Sequence, residues 1–229
     1  MAAPSVILGL QVEVEAGFPA RMDYPWLTAP ASDVAETART LLGWEITAGG
    51  VRIRLTEVEA YAGTGEDPAS HAHRGPTPRT QVMFGPAGYA YTYFVFGVHW
   101  CLNVVCGREG EASAVLLRAG EVVDGLDIAR KRRGDQVPDR DLARGPARLV
   151  VALGISASAN GTSVLDGEGP LLLTPPTRPV ERSAVSAGPR VGVAAAHDVP
   201  WRFWITGEAT VSSYRRHTPR RRTARPAGG

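Results

Sequence analysis

The strongest constraint in this 229-residue chain is a run that sets a rule and then breaks it. Val51, Ile53 and Leu55 alternate with Arg52, Arg54 and Thr56, the period-two pattern of a strand with one buried face. The next residues read TEVEAY, and Glu57 and Glu59 continue the parity of the apolar positions. A carboxylate carried into a core costs free energy unless it is paired or hydrogen-bonded. Either the two acids do chemistry, or the strand runs out of the core into solvent.

The flanking segments predict an α+β domain. Asp33 and Glu36 have capping-box spacing ahead of the stripe Val34, Ala38, Leu41, Leu42, and Gly43 stops that helix. Strands are expected over 89–95 and 98–106, joined as a hairpin at Phe96-Gly97, and over 114–123. Gly125–Arg132 predicts a short helix, and Pro146 starts a further helix that Gly154 ends. Shorter strands are expected near 171–173, 190–193 and 201–205. The stretch 64–88, rich in Gly, Pro, Asp and His, reads as a long ordered loop, a feature usually tied to function. The expected fold is a single domain: a mostly antiparallel curved sheet with flanking helices and a protruding β-hairpin. Residues 1–30 read as a partly ordered extension, 31–213 as the domain, and 214–229 as a basic, disordered tail.

Composition narrows the chemistry. Hydrophobic residues make up 44% and charged residues 21% of the chain, ordinary for a soluble globule. No apolar run is long enough to cross a membrane, and no secretory signal is visible, so the expected location is cytoplasmic, at the nucleoid in a bacterium. The only two cysteines, Cys101 and Cys106, fall on opposite faces of one strand, which disfavours a disulfide between them. Lys131 is the only lysine and lies in the run RKRR, read as a solvated charge cluster. Schiff-base chemistry therefore has almost no amine to use.

Several side chains stand out. Glu59 followed by Tyr61 can act as a general base. Arg118, in the apolar run AVLLRAGE, needs a partner for its charge; a Glu59–Arg118 pair is either catalytic or merely structural. Tyr89, Tyr91 and Tyr93 share one strand face, a stack for a planar ring or simply core. Phe96 at the hairpin tip can wedge between bases. His71 and His73, with Asp67 and Glu57, raise a metal-dependent hydrolase as an alternative. No Walker A loop, dinucleotide fingerprint or nucleophile elbow is present.

The string TEVEAYAGTGEDPASHAHRGPTPRTQVMFGPAGYAYTYFVFGVHWCLNVV, followed by AVLLRAGE, GPARLVVALGI, GPRVGV and PWRFWITGEATVS, resembles the alkyladenine (3-methyladenine) DNA glycosylases over roughly residues 33–213. The resemblance implies an enzyme that flips a damaged purine out of double-stranded DNA and hydrolyses its glycosidic bond. Alkylated purines of the 3-methyladenine type are the implied substrates, with hypoxanthine or ethenoadenine as extensions. By that resemblance Glu59 is the general base and Arg118 helps hold the carboxylate and its water. Tyr61, His71 and Tyr93 form the base pocket, and Asn103 disfavours guanine. Phe96 stands at the intercalating position, where the family has tyrosine, and Met83 belongs to a DNA-facing loop. No metal or cofactor is implied, a monomer is expected, and the lysine poverty predicts a monofunctional enzyme without a lyase step. A catalytically idle, lesion-sensing DNA-binding protein is the remaining alternative.

Overall fold

In the computed structural model, residues 24–95 and 97–218 are described. Eight strands form one antiparallel sheet: β1 (Glu45–Ala48), β2 (Val51–Tyr61), β3 (Ala90–Val95), β4 (His99–Cys106), β5 (Ser113–Asp124), β6 (Leu172–Thr174), β7 (Val185–Gly188) and β8 (Arg202–Ile205). The order along the sheet is β3-β4-β5-β2-β1-β6. The first half of β2 is flanked by β1 and the second half by β8, which in turn pairs with β7. Three helices, α1 (Val34–Thr40), α2 (Leu126–Arg133) and α3 (Pro146–Leu153), complete the α+β architecture.

The chain that enters β2 has already run once alongside it, as β1. Gly49 and Gly50, both at positive φ, fold it into the β1–β2 hairpin, a turn that strongly favours glycine. The larger correction concerns Glu57 and Glu59. Val51, Ile53 and Leu55 face the main core, but beyond the bulge the core residues are Val58 and Ala60 of β2 and Ala62 just after it. The register with β5 slips between Leu55 and Glu57 and slips back between Glu57 and Val58. Each strand therefore carries one extra residue, and both change faces together. Across this switch β2 and β5 approach closely: a Cβ on Gly120 would lie 2.4 Å from the Arg54 carbonyl oxygen. The paired bulge puts Glu57 and Glu59 on the face opposite the apolar core.

That core is filled by α1 (Val34, Ala38) with the adjoining Leu41 and Leu42, by α3 (Leu149, Val150, Leu153) and by one face of the sheet, including Ile53, Leu102, Leu117 and Phe203. Residues 24–30 of the expected extension are ordered; Tyr24 and Trp26 pack on Trp44 at ring-centroid distances of 4.8 and 5.1 Å. Pro146 begins α3 as expected, and Gly154 ends it with φ 69°.

Three expectations fail in detail. The capping box at Asp33 does not form; Asp33 makes no side-chain cap, and Glu36 pairs with Arg39 and Arg182. The strand expected at 190–193 is replaced by one at 185–188. The arginines of RKRR are not simply solvated. Arg132 donates to the carbonyls of Ala152 and Gly49, Arg133 to that of Leu142, and Arg130 pairs with Asp139. These bonds tie α2 to the end of α3 and to the β1–β2 turn. Phe96 and residues 219–229, which hold Arg220, Arg221, Arg222 and Arg225, lie outside the described residues.

Candidate active site

The face exposed by the bulge forms the back wall of a cavity of about 390 Å³, within the range of roughly 300–1,000 Å³ usual for small-molecule sites. Alternate residues of four strands supply the wall: Tyr91 and Tyr93 from β3, Cys101 and Asn103 from β4, Leu116 and Arg118 from β5, Glu59 and Tyr61 from β2. Their common direction follows from the register, which pairs Tyr91 with Asn103, Tyr93 with Cys101, Asn103 with Leu116, and Glu59 with Leu116. The loop 64–88 adds His71 and Met83, α3 adds Pro146, and residues 191–194 close the opposite side.

Glu59 is fully buried, with 0% exposure, yet it lines the cavity. Tyr61 donates its hydroxyl to Oε2 at 2.7 Å, the backbone N–H of Val191 donates to Oε1 at 2.7 Å, and Nη1 of Arg118 lies 3.3 Å from Oε1. Arg118 stays charged, for although burial opposes its charge, Glu59 and Glu57 together raise its pKa. Arg118 has a second partner, because its Nε donates to Glu57 Oε1 at 2.8 Å. The Tyr61 phenol is pushed well above its ordinary value, first by burial and then by the Glu59 charge. It stays protonated and remains a donor to Glu59.

The aromatic side is compact. His71 packs edge-on to Tyr93 with ring centroids 4.6 Å apart, and Tyr91 and Tyr93 lie 5.7 Å apart. His71 Nδ1 is 3.2 Å from the Tyr91 hydroxyl. Burial, and then the charge of Arg79, lower the His71 pKa, so its ring is neutral at pH 7. Arg79 itself stands 5.4 Å over the Tyr93 ring. Asn103 is fixed by its side-chain amide, which donates to the Tyr91 carbonyl at 2.9 Å.

The candidates taken from the sequence thus divide. Glu59, Arg118, Tyr61, His71, Tyr93 and Asn103 converge on one cavity. Met83 belongs to the long loop, but only 2% of it is exposed, and it packs with Tyr91 while lining the same cavity. Tyr89 pairs with Ser163 in an isolated bridge and does not line the cavity. Among the described residues, no three His, Cys, Asp or Glu side chains gather as metal ligands. Asp67 is held by Arg190 and Glu57 by Arg118, so neither joins His71 and His73.

Other contributors escaped the sequence reading. The buried Arg190 clamps Asp67 through Nη1 and Nη2 at 2.5 and 2.8 Å and also donates to the Ala60 carbonyl. It thereby pins the long loop to the strand that carries Glu59. Its guanidinium stands 4.7 Å over the Tyr61 ring. The Val191 amide, next in the chain, then reaches Glu59. Arg190 lies in the quoted GPRVGV string, which was the only signal pointing to it.

Comparison with known proteins places the chain in a family. Residues 28–209 match the model of the methylpurine-DNA glycosylase family. A Frankia casuarinae protein provisionally named 3-methyladenine DNA glycosylase is 51% identical over 197 residues, covering 82% of this chain and 91% of the relative. One from Streptomyces avermitilis, with the same provisional name, is 50% identical over 84% of this chain and 92% of its own. A third, from Nocardia farcinica, is 50% identical over 80% of this chain and 88% of its own. The match spans both the sheet face and the loops that build the cavity, and the chain belongs to the methylpurine-DNA glycosylase family, hydrolases of N-glycosyl bonds in DNA.

Proposed function

We propose that this protein is a monofunctional DNA repair glycosylase that removes alkylated purines of the 3-methyladenine type, acting as a monomer on double-stranded DNA. Residues 31–213 form the catalytic unit. The observation that carries this reading is Glu59: a fully buried carboxylate held by three donors at the edge of an aromatic cavity.

Chemistry inside a duplex requires the target nucleotide to leave the stack, at a cost of a few kcal/mol. The lesion enters between Tyr93, His71 and Tyr61. An N-alkylated purine is cationic, and electron-rich rings favour it. Glu59 removes a proton from a water molecule as that water attacks the anomeric carbon. The C–O bond forms, the C–N bond breaks, and the bonding electron pair leaves with the base and neutralises its charge. The carboxylate also faces the positive charge that develops on the sugar. Arg118 and the Val191 amide keep Glu59 oriented. Asn103 beside the ring face disfavours guanine, whose exocyclic amine would meet the side chain. Hypoxanthine and ethenoadenine are neutral and gain less from the rings, so they are the slower substrates.

The β3–β4 hairpin carries the wedge. Val98 at its end is 64% exposed, and Phe94 is exposed while its ring lies tilted against Trp100, centroids 4.9 Å apart; Phe96 fills the gap left by the flipped nucleotide. Met83 supports the DNA-facing loop from inside. The absence of a lyase step rests on the single lysine: Lys131 lies on α2 and is not part of the cavity lining. No helix of the described residues is long and apolar enough to cross a membrane.

The test is a set of duplexes, each with one defined lesion, incubated with the protein in chelator while free base is quantified. Release of 3-methyladenine-type bases is expected, leaving an unbroken abasic strand. Glu59→Gln should lower release about 10²–10⁴-fold and spare duplex binding. Binding without release by the unaltered protein would favour the lesion sensor, and activity lost in chelator would favour a metal-dependent hydrolase.

A further inference from the structure

We propose that Glu57 is a positioning residue for base excision: it fixes the guanidinium of Arg118 so that one edge is left to face Glu59. The inference rests on the glycosylase reading of the Glu59 cavity and adds a residue that does not line that cavity.

Glu57 is fully buried and accepts four hydrogen bonds. Oε1 takes Arg118 Nε at 2.8 Å, Arg202 Nε at 2.7 Å and Ser212 Oγ at 2.9 Å, and Oε2 takes the Ser212 backbone N–H at 2.7 Å. Arg118 also reaches Ser212 Oγ through Nη2 at 3.3 Å, which leaves Nη1 for Glu59. A guanidinium is a planar, rigid fork. Fixing its Nε and Nη2 therefore sets where Nη1 stands. Without Glu57, the one carboxylate left paired with Arg118 among the described residues would be Glu59 itself. The two charges would then collapse into a tight pair, with the carboxylate turned away from the attacking water.

The charges around Glu57 also balance. Glu57 and Glu59 face Arg118 and Arg202, two negative and two positive groups in one buried cluster. Burial raises the pKa of Glu57, but the two guanidiniums and the Ser212 amide outweigh it and hold the group below its ordinary value, so it remains ionised. A structural ion pair alone needs only one cation. Here Arg118 is divided between two carboxylates, and only the second one meets the cavity.

The experiment compares unaltered protein, Glu57→Gln, Arg118→Gln and the double variant on a duplex with one alkylated purine, reading single-turnover rate and KM separately. Glu57→Gln keeps an acceptor but loses the charge. It is expected to lower the rate about 10–100-fold, the scale of a misplacement near 1 Å, with KM within about twofold. In the Arg118→Gln background the same change should have little further effect, since Glu57 acts through Arg118. Should Glu57→Gln fail to fold, Ser212→Ala removes one bond to Glu57 and one to Arg118 and is expected to lower the rate several-fold at unchanged KM. Full additivity in the double variant, or an unchanged rate in both Glu57→Gln and Ser212→Ala, overturns the proposal. No base release by the unaltered protein would instead overturn the glycosylase reading on which it rests.

Discussion

Glu57 and Glu59 occupy the same strand two residues apart, and both are fully buried. Their surroundings differ in one respect. Glu57 is saturated, with two arginines and both polar groups of Ser212 filling its acceptor sites. Glu59 has Tyr61, Val191 and a shared Arg118, and its open side is a cavity. A carboxylate surrounded by four protein donors and turned away from the cavity can only position its neighbours. One that is held but not saturated can still accept a proton from water. Burial and residue type are the same for both, so neither separates the acid that lines the cavity from the one that does not. What separates them is what stands in front.

Loss of Glu59 function should be the largest effect on chemistry. Glu59→Gln is expected to lower base release about 10²–10⁴-fold while the urea midpoint moves little; an equal loss of stability would erase the contrast with Glu57. Glu57→Ala should show the reverse emphasis in equilibrium unfolding. It leaves two buried guanidiniums short of their shared carboxylate, at a cost of about 3–5 kcal/mol. The pH dependence sharpens the point. The folded-state pKa of Glu57 lies below its ordinary 4.5, so its stabilisation is complete above that value and is lost as pH falls through the lowered folded value. The unaltered protein should therefore lose stability on acidification through this window, and Glu57→Gln should give a flatter curve. Parallel curves would mean that Glu57 is not the ionised hub.

Tyr61→Phe comes next. It removes one donor from Glu59 and keeps the ring, so about a tenfold drop in rate is expected, in line with a hydrogen bond to a charged group worth about 1.5–3 kcal/mol. An unchanged rate would mean that Val191 and Arg118 suffice to hold the acid. The smallest effect on chemistry is expected from deleting residues 219–229, which removes Arg220, Arg221, Arg222 and Arg225. The 25 basic residues then fall to 21 against 23 acidic ones. The carbonyl of Arg215 accepts a bond from Gly192 in the cavity-lining segment. If the tail's four arginines meet phosphates, the slope of log affinity against log salt should fall by about 3–4. An unchanged slope would remove the tail from DNA binding.

The sequence alone carried a good part of this. Period-two runs located most of the strands, Pro146 and Gly154 bounded α3, and the alternation of Tyr91 and Tyr93 put both rings on one face because strand geometry is local. The TEVEAY string, with the residues that follow it, carried the family. The sequence misled where a local rule met a tertiary event. Parity counting put Glu57 and Glu59 toward the apolar core, since no local signal marks a bulge shared by two strands; Gly120, which permits it, is 61 residues away from Glu59. Asp33 and Glu36 have the spacing of a capping box, but Arg182, 146 residues from Glu36, competes for the glutamate. The RKRR run read as solvated because the carbonyls that receive Arg132 and Arg133 come from other segments.

From its order of residues, then, the chain determined a mostly antiparallel α+β domain, a wall of tyrosines and a pair of acids beside them, because alternation and turn chemistry act over a few residues. Only the tertiary structure decided which acid faces the cavity. Ser212, Arg202 and the Val191 amide come from segments more than 130 residues downstream, and the state of a buried carboxylate depends on the donors that surround it in space.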